Sequence, residues 1–251
     1  MIEFRGLYKS FDSHQVLRGV DLSVEEGETL ALLGPSGTGK SVLIKHAMGL
    51  LEPDAGDVIV DGISIANASR DELRSVRRRI GYVFQNAALF DSLTVAENLW
   101  LALTDEKDST RVDQCRAESV DLLRRVNLDP VVLGKYPGEL SGGMRKRVGV
   151  ARAIAHRPRY LLWDEPTTGL DPVNADNIDE LIMDMRQQLG VTSIVVTHDL
   201  DTAFEVGDRI ALLYEGRVRA CQTPDEILKN DDPFVSRFVR RSRTGTAATA
   251  R

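Results

Sequence analysis

Cysteine is scarce in this 251-residue chain: there are two, Cys115 and Cys221, far apart and with no metal-type cluster around either. Their spacing argues against a disulfide framework and fits ordinary thiols in a reducing compartment. Long hydrophobic runs are missing as well. None approaches the roughly 18 apolar residues that a membrane span needs, and Met1-Ile-Glu-Phe-Arg has no signal-peptide pattern. Positive charge is not in excess, since 32 Lys and Arg face 38 Asp and Glu. A general nucleic-acid binder should be basic. Internal repeats and low-complexity segments are also lacking. The expectation is a cytoplasmic protein that binds no nucleic acid and reaches a membrane only through a partner.

What is present is the material of an α/β protein. An apolar content of 42% is ordinary for a globular chain and supplies a sizeable core. The length suits one domain with an inserted lobe, or two small domains. The stretch Gly34-Pro35-Ser36-Gly37-Thr38-Gly39-Lys40-Ser41 follows an apolar run, Thr29–Leu33. Behind it Leu43, Ile44, Ala47, Met48 and Leu51 recur at helical spacing. Strand, Gly-rich turn and helix are the context that a phosphate-binding loop requires. Its glycines let backbone N–H groups curl round an anion, and the helix N-terminus adds unpaired donors. Lys40 would reach the outer phosphates, and the Ser41 hydroxyl would ligate Mg²⁺.

Along the chain, Ile2–Arg5, Val16–Val24 and Asp57–Ile65 look like short strands of a small antiparallel sheet. Asp71–Arg79 reads as a helix capped by Ser69, before a buried strand at Ile80–Phe84. From Asn86 to about Arg157 the texture turns helical, with Thr94–Leu103, Arg111–Val126 and Ser141–His156, which suggests an inserted lobe. Strands return at Tyr160–Trp163 and Ser193–Val196, with a helix at Val173–Leu189 between them, as in a parallel sheet. Ile210–Tyr214 and Arg217–Ala220 flank Glu215-Gly216, a hairpin signal. Short helices at Asp225–Lys229 and Pro233–Arg240 follow, and residues 241–251 read as a flexible tail.

Leu161-Leu-Trp-Asp164-Glu165 is an apolar strand ending in acids, which places them at the sheet edge where ligands collect. Asp164 would hold Mg²⁺, and Glu165 would be the base that orients water against the γ-phosphoryl group. A second anion site, Ser141-Gly142-Gly143-Met144, opens another helix with no acid pair of its own. The economical interpretation is that this half-site completes the pocket of a second copy in a symmetric dimer.

These motifs, in this order and over Met1 to about Arg240, resemble the nucleotide-binding subunit of ATP-binding-cassette (ABC) transporters. The resemblance implies one cassette over residues 1–240, with a phosphate-loop NTPase core, a small antiparallel sheet and a helical lobe at about 86–157. It assigns Gly34–Ser41 to Walker A, Leu161–Glu165 to Walker B and Leu140–Met144 to the signature. Val42 stands where the family often has a hydroxyl residue at the α-phosphate. The resemblance makes Gln85 a Mg²⁺ ligand and lobe hinge, and His198 the switch histidine. Asp171 becomes a residue of the dimer seam, and Phe11 the aromatic against adenine. Met144 replaces the usual signature Gln.

Ser41-Val-Leu-Ile-Lys, Phe84–Asn98 and Leu140–Arg147 are further similar to the ATPases of MCE-type lipid transporters, including the Mla phospholipid systems. The implied protein is a homodimeric, ATP- and Mg²⁺-dependent ATPase at the cytoplasmic face of the membrane. It would drive a multispanning permease, with MCE-domain and accessory subunits, and would never touch the lipid itself. The competing readings are the ATPase of a polar amino acid or other small-solute importer, a soluble nucleotide-gated clamp on nucleic acid or ribosome, and a regulatory cassette without turnover.

Overall fold

The computed structural model describes residues 1–104 and 112–246. Two sheets carry the chain. The first is antiparallel, in the order β2-β1-β4-β5, from β1 (Ile2–Phe11), β2 (His14–Val24), β4 (Ala55–Val60) and β5 (Ile63–Ser64). The second has the order β10-β9-β3-β8-β7-β6. Its strands are β3 (Thr29–Leu33), β6 (Ile80–Val83), β7 (Tyr160–Asp164), β8 (Thr192–Thr197), β9 (Arg209–Tyr214) and β10 (Arg217–Gln222). Only β10 runs antiparallel, joined to β9 through the expected turn at Glu215-Gly216.

Every residue of β3, β7 and β8 is buried, as a parallel sheet covered on both faces demands. The period-2 alternation of a strand divides them between two cores. Leu162, Ile194 and Val196 join Phe4, Leu17 and Val58 of the antiparallel sheet and Leu43 and Ile44 of α1 (Lys40–Ala47). Leu161, Trp163 and Val195 face the opposite way. There they meet α3 (Val95–Leu103), α4 (Val112–Arg125), α5 (Gly142–Ala153) and α6 (Pro172–Leu189). Trp163 is wholly inaccessible to solvent, so the strand that ends in the acid pair is the anchor of this second core.

Local chemistry sets the ends of the elements. Ser69 and Thr94 form capping boxes with Glu72 and Glu97 at the starts of α2 (Arg70–Arg79) and α3. Gly190 closes α6 in the left-handed region (φ 63°). Several boundaries differ from the sequence expectation. Strand β6 stops at Val83, which leaves Phe84 and Gln85 beyond the sheet edge. Helix α7 (Leu200–Val206), capped by Asp199, was not expected, because seven residues are fewer than the roughly 11–18 over which a helical repeat can be read. Short 3-10 turns at Pro130–Gly134 and Pro137–Glu139 also went unread. After α8 (Pro224–Ile227), helix α9 (Pro233–Thr246) continues past Arg240, so the expected tail is helical in its first part. Arg111 of the expected second lobe helix and residues 247–251 of that tail lie outside the described residues.

Candidate functional site

Strand register sets the geometry. Leu33 pairs with Thr197, Asp164 with Val196 and Val83 with Trp163, so β3, β8, β7 and β6 end nearly level. The Gly34 loop, His198, Glu165 and Gln85 therefore emerge from one edge of the sheet. Gly34 leaves β3 tight against β9: a Cβ there would lie 2.2 Å from the Leu213 carbonyl oxygen. Gly39 caps α1 with φ 98° and no side-chain hydrogen bond. The first N–H groups of that helix are thus left for an outside acceptor.

Lys40 is 5% exposed and curls back over the loop. Its ammonium donates to the Gly34 and Pro35 carbonyls, at 2.7 and 3.1 Å, and stands 3.5 Å from Glu165 Oε1. Burial lowers its pKa below the usual lysine value, against the opposing pull of Glu165 and Asp164. Ser41 Oγ donates to Asp164 Oδ1 at 2.5 Å, while the buried Tyr82 hydroxyl donates to Asp164 Oδ2 at 2.8 Å. Burial, with Asp164 beside it, raises the phenol's pKa and keeps it a donor.

Glu165 occupies the left-handed region at φ 52°, unusual for a residue with a side chain. Its N–H donates to the Val196 carbonyl at 3.0 Å. Oε2 accepts from Thr168 Oγ1 at 2.9 Å and lies 2.6 Å from His198 Nδ1, while Oε1 faces Lys40. One carboxylate thus joins α1, the loop after β8 and the loop it stands in. Strain of this kind, held by surrounding contacts, collects at working sites.

Five of the residues singled out from sequence are joined here: Lys40, Ser41, Asp164, Glu165 and His198. Others stand apart. Phe11 ends β1 exposed, with the Lys9 ammonium 5.6 Å from its ring centre. Val42 packs its side chain against the core, leaving its backbone as the group that can face a phosphate. Ser141 caps α5 by accepting from the Met144 N–H at 3.2 Å, and Met144 packs partly into the lobe's core. Gly143 lies against Asn174 of α6, whose N-cap is Asp171. Among the described residues, no hydrogen bond or ion pair joins Ser141–Met144 to Gly34–Ser41 of the same copy.

Sequence reasoning missed Tyr82, Thr168 and Lys146. Tyr82 lay within the expected buried strand Ile80–Phe84, and Thr168 carried no expectation. Lys146 entered only as part of the Leu140–Arg147 stretch, with no role of its own. Its helical spacing to Gly143, Val150 and Ala153, all buried, was the signal that could have found it.

The family model described as ABC transporter matches residues 17–168, more than half of the chain. The chain belongs to the ABC transporter family. It is 39% identical over 244 residues to the probable ribonucleotide transport ATP-binding protein mkl of Mycobacterium leprae, covering 97% of this chain and 70% of mkl. To the methionine import ATP-binding protein MetN of Caulobacter vibrioides it is 40% identical over 245 residues, covering 96% and 73%. The dimeric post-hydrolysis structure of the ATP-binding cassette MJ0796, bound to ADP and Pi, superposes with a TM-score of 0.81. That match has 32% identity and covers 89% of this chain and 99% of the other.

This ABC ATPase binds ATP with Mg²⁺ and hydrolyses it, and cassettes of the family dimerise and work with membrane permease subunits. Its own residues fit that chemistry. The Ser41 hydroxyl and Asp164 carboxylate meet as an all-oxygen pair, the donor set a hard divalent ion takes. Bound there, Mg²⁺ neutralises charge on the phosphate oxygens. Among the described residues, no group of three or more His, Cys, Asp or Glu is placed to hold a metal ion. No described helix is long and apolar enough to cross a membrane.

Proposed function

We propose that two copies of this ABC ATPase sandwich ATP head to tail and use its hydrolysis to drive a membrane permease that moves phospholipid or a related lipid. The observation that carries the reading is Glu165, held between His198, Thr168 and Lys40 beside the Ser41–Asp164 pair. Lys40 and the Gly34–Gly39 loop hold the phosphates, with the Val42 backbone at the inner end. Glu165 orients the attacking water and takes its proton. His198 Nδ1 is engaged with Glu165, which leaves Nε2 as the ring nitrogen for the γ-phosphate. Phe11 offers its face to adenine. Ser141–Met144 of one copy closes on the nucleotide of the other, and Asp171 lines the seam.

Phe84 and Phe90 are exposed beside and within Gln85–Asn98, the stretch where we place docking of a permease helix. Through that permease the protein would sit at the cytoplasmic face of the membrane. Glu165→Gln is expected to bind ATP and dimerise, with kcat lowered about 100-fold or more. A parental rate would remove Glu165 as the base. Lys40→Ala should instead lose nucleotide binding in a direct titration.

The lipid reading rests on the resemblance of residues 41–45, 84–98 and 140–147 to MCE-type ATPases. The names of the relatives favour a second reading: ribonucleotide, methionine and osmoprotectant transport all point to small solutes. Purification with the native permease distinguishes them. An MCE-domain subunit and phospholipid-stimulated ATPase support the first, and a solute-binding protein with solute-stimulated ATPase supports the second.

A further inference from the structure

Lys146 is a charged side chain in the wrong place for a solvated one. It lies one turn into α5, the helix opened by Ser141, yet only 9% of it is exposed. Its ammonium donates to the Pro166 carbonyl at 2.5 Å and to the Thr168 carbonyl at 2.7 Å. Both carbonyls belong to the loop immediately behind Glu165. Thr168 in turn donates its hydroxyl to Glu165 Oε2. Nearby, Gly142 of the same helix lies close to Leu170 of this loop, and Gly143 packs on Asn174 in the first turn of α6.

A buried lysine is costly unless its ammonium is hydrogen-bonded, and burial has pushed Lys146 down to about 8. An apolar residue would fill the space without that cost. The ammonium gives something packing does not, namely two directional, charge-assisted bonds that fix one loop against one helix.

We propose that Lys146 is a positioning residue that locks the signature helix α5 to the Glu165–Thr168 loop of its own copy. Contact of α5 with the other copy's nucleotide is thereby transmitted to this copy's base. The link is short and continuous: α5, Lys146, the Pro166 and Thr168 carbonyls, the Thr168 hydroxyl, Glu165. This inference rests on the head-to-tail reading above, and it adds a physical route by which one pocket senses the filling of the other.

The test uses the purified full chain and its Lys146→Met and Lys146→Arg variants, with ATP titrations of hydrolysis and direct nucleotide binding. For Lys146→Met the expected result is a kcat lowered about tenfold. Nucleotide affinity should stay within about twofold, and a Hill coefficient approaching 2 in the parent should fall to about 1. Lys146→Arg, which keeps a charged donor, should recover most of kcat and cooperativity. The proposal is overturned if Lys146→Met keeps parental kcat and cooperativity per folded molecule. It is also overturned if the methionine variant loses nucleotide binding together with kcat, or if arginine rescues thermal stability without rescuing cooperativity. Failure of the base assignment would be seen separately, as parental turnover by Glu165→Gln with Lys146 intact.

Discussion

At the scale of single residues, the burial of ionisable groups separates working positions from filler. Asp179 of α6 is 4% exposed and accepts from Thr202 Oγ1 of α7 at 2.9 Å, while its Oδ1 has no hydrogen-bond partner among the described residues. Burial raises its carboxyl to about 7, helped by the nearby negative charges of Glu205, Asp199 and Asp176. The folded state therefore holds a proton that the unfolded chain releases near pH 4. The stability this gives is complete below about pH 4, falls as pH rises towards 7 and changes little above that. Thermal midpoints measured across about pH 5 to 7.5 should thus decline for the parent, and decline less for Asp179→Asn, which mimics the protonated acid. Equal slopes for the two proteins would contradict this account. The sequence offered no sign of Asp179, because an acid inside an amphipathic helix reads as solvent-facing until the neighbouring helix is placed. Since α7 itself went unread, its packing partner stayed invisible.

At the scale of elements, legibility followed how local the cause was. The start of α3 was readable to one residue, because Thr94 and Glu97 satisfy each other's backbone partners within four positions. Thr94→Ala is accordingly expected to cost about 1 kcal/mol, lowering the thermal midpoint by about 2–4 °C with β3 and β7 intact. A scanning calorimetry trace unchanged by the substitution would contradict that. The phosphate loop was legible for a similar reason, since its glycines, Lys40 and Ser41 are contiguous. Its tightness was not. The 2.2 Å approach of a Gly34 Cβ to the Leu213 carbonyl depends on β9 lying beside β3, a pairing of strands far apart in sequence. Gly34→Ala should therefore lower both thermal stability and ATP affinity, whereas alanine at Gly37, where a Cβ meets nothing within 4 Å but φ is 80°, should cost only the backbone strain of about 1 kcal/mol. Comparing the two variants by calorimetry and nucleotide titration checks the difference.

At the scale of the whole molecule, the sheet order explains why residues from distant parts of the chain meet. Strand β8 lies between β3 and β7, so His198 at its end falls between the phosphate loop and the acid pair. Trp163 anchors β7 in the core shared with the lobe, and Lys146 ties α5 to the loop after β7. Motif order along the chain named the members of this edge, but the pairing of Glu165 with His198 and Thr168 required the folded chain. In the dimer we propose, the signature end of α5, which makes no bond to its own phosphate loop among the described residues, serves a second copy. The most direct test mixes two defective proteins, Lys40→Ala and Ser141→Arg, each unable to form a working pocket alone. In a head-to-tail dimer, one pocket of each mixed pair combines an intact phosphate loop with an intact signature. An equimolar mixture should then recover measurable ATPase activity, up to about a quarter of the parental rate and less to the extent that the two pockets cooperate. No recovery, with mixed dimers demonstrated in the same sample, would contradict the shared pocket.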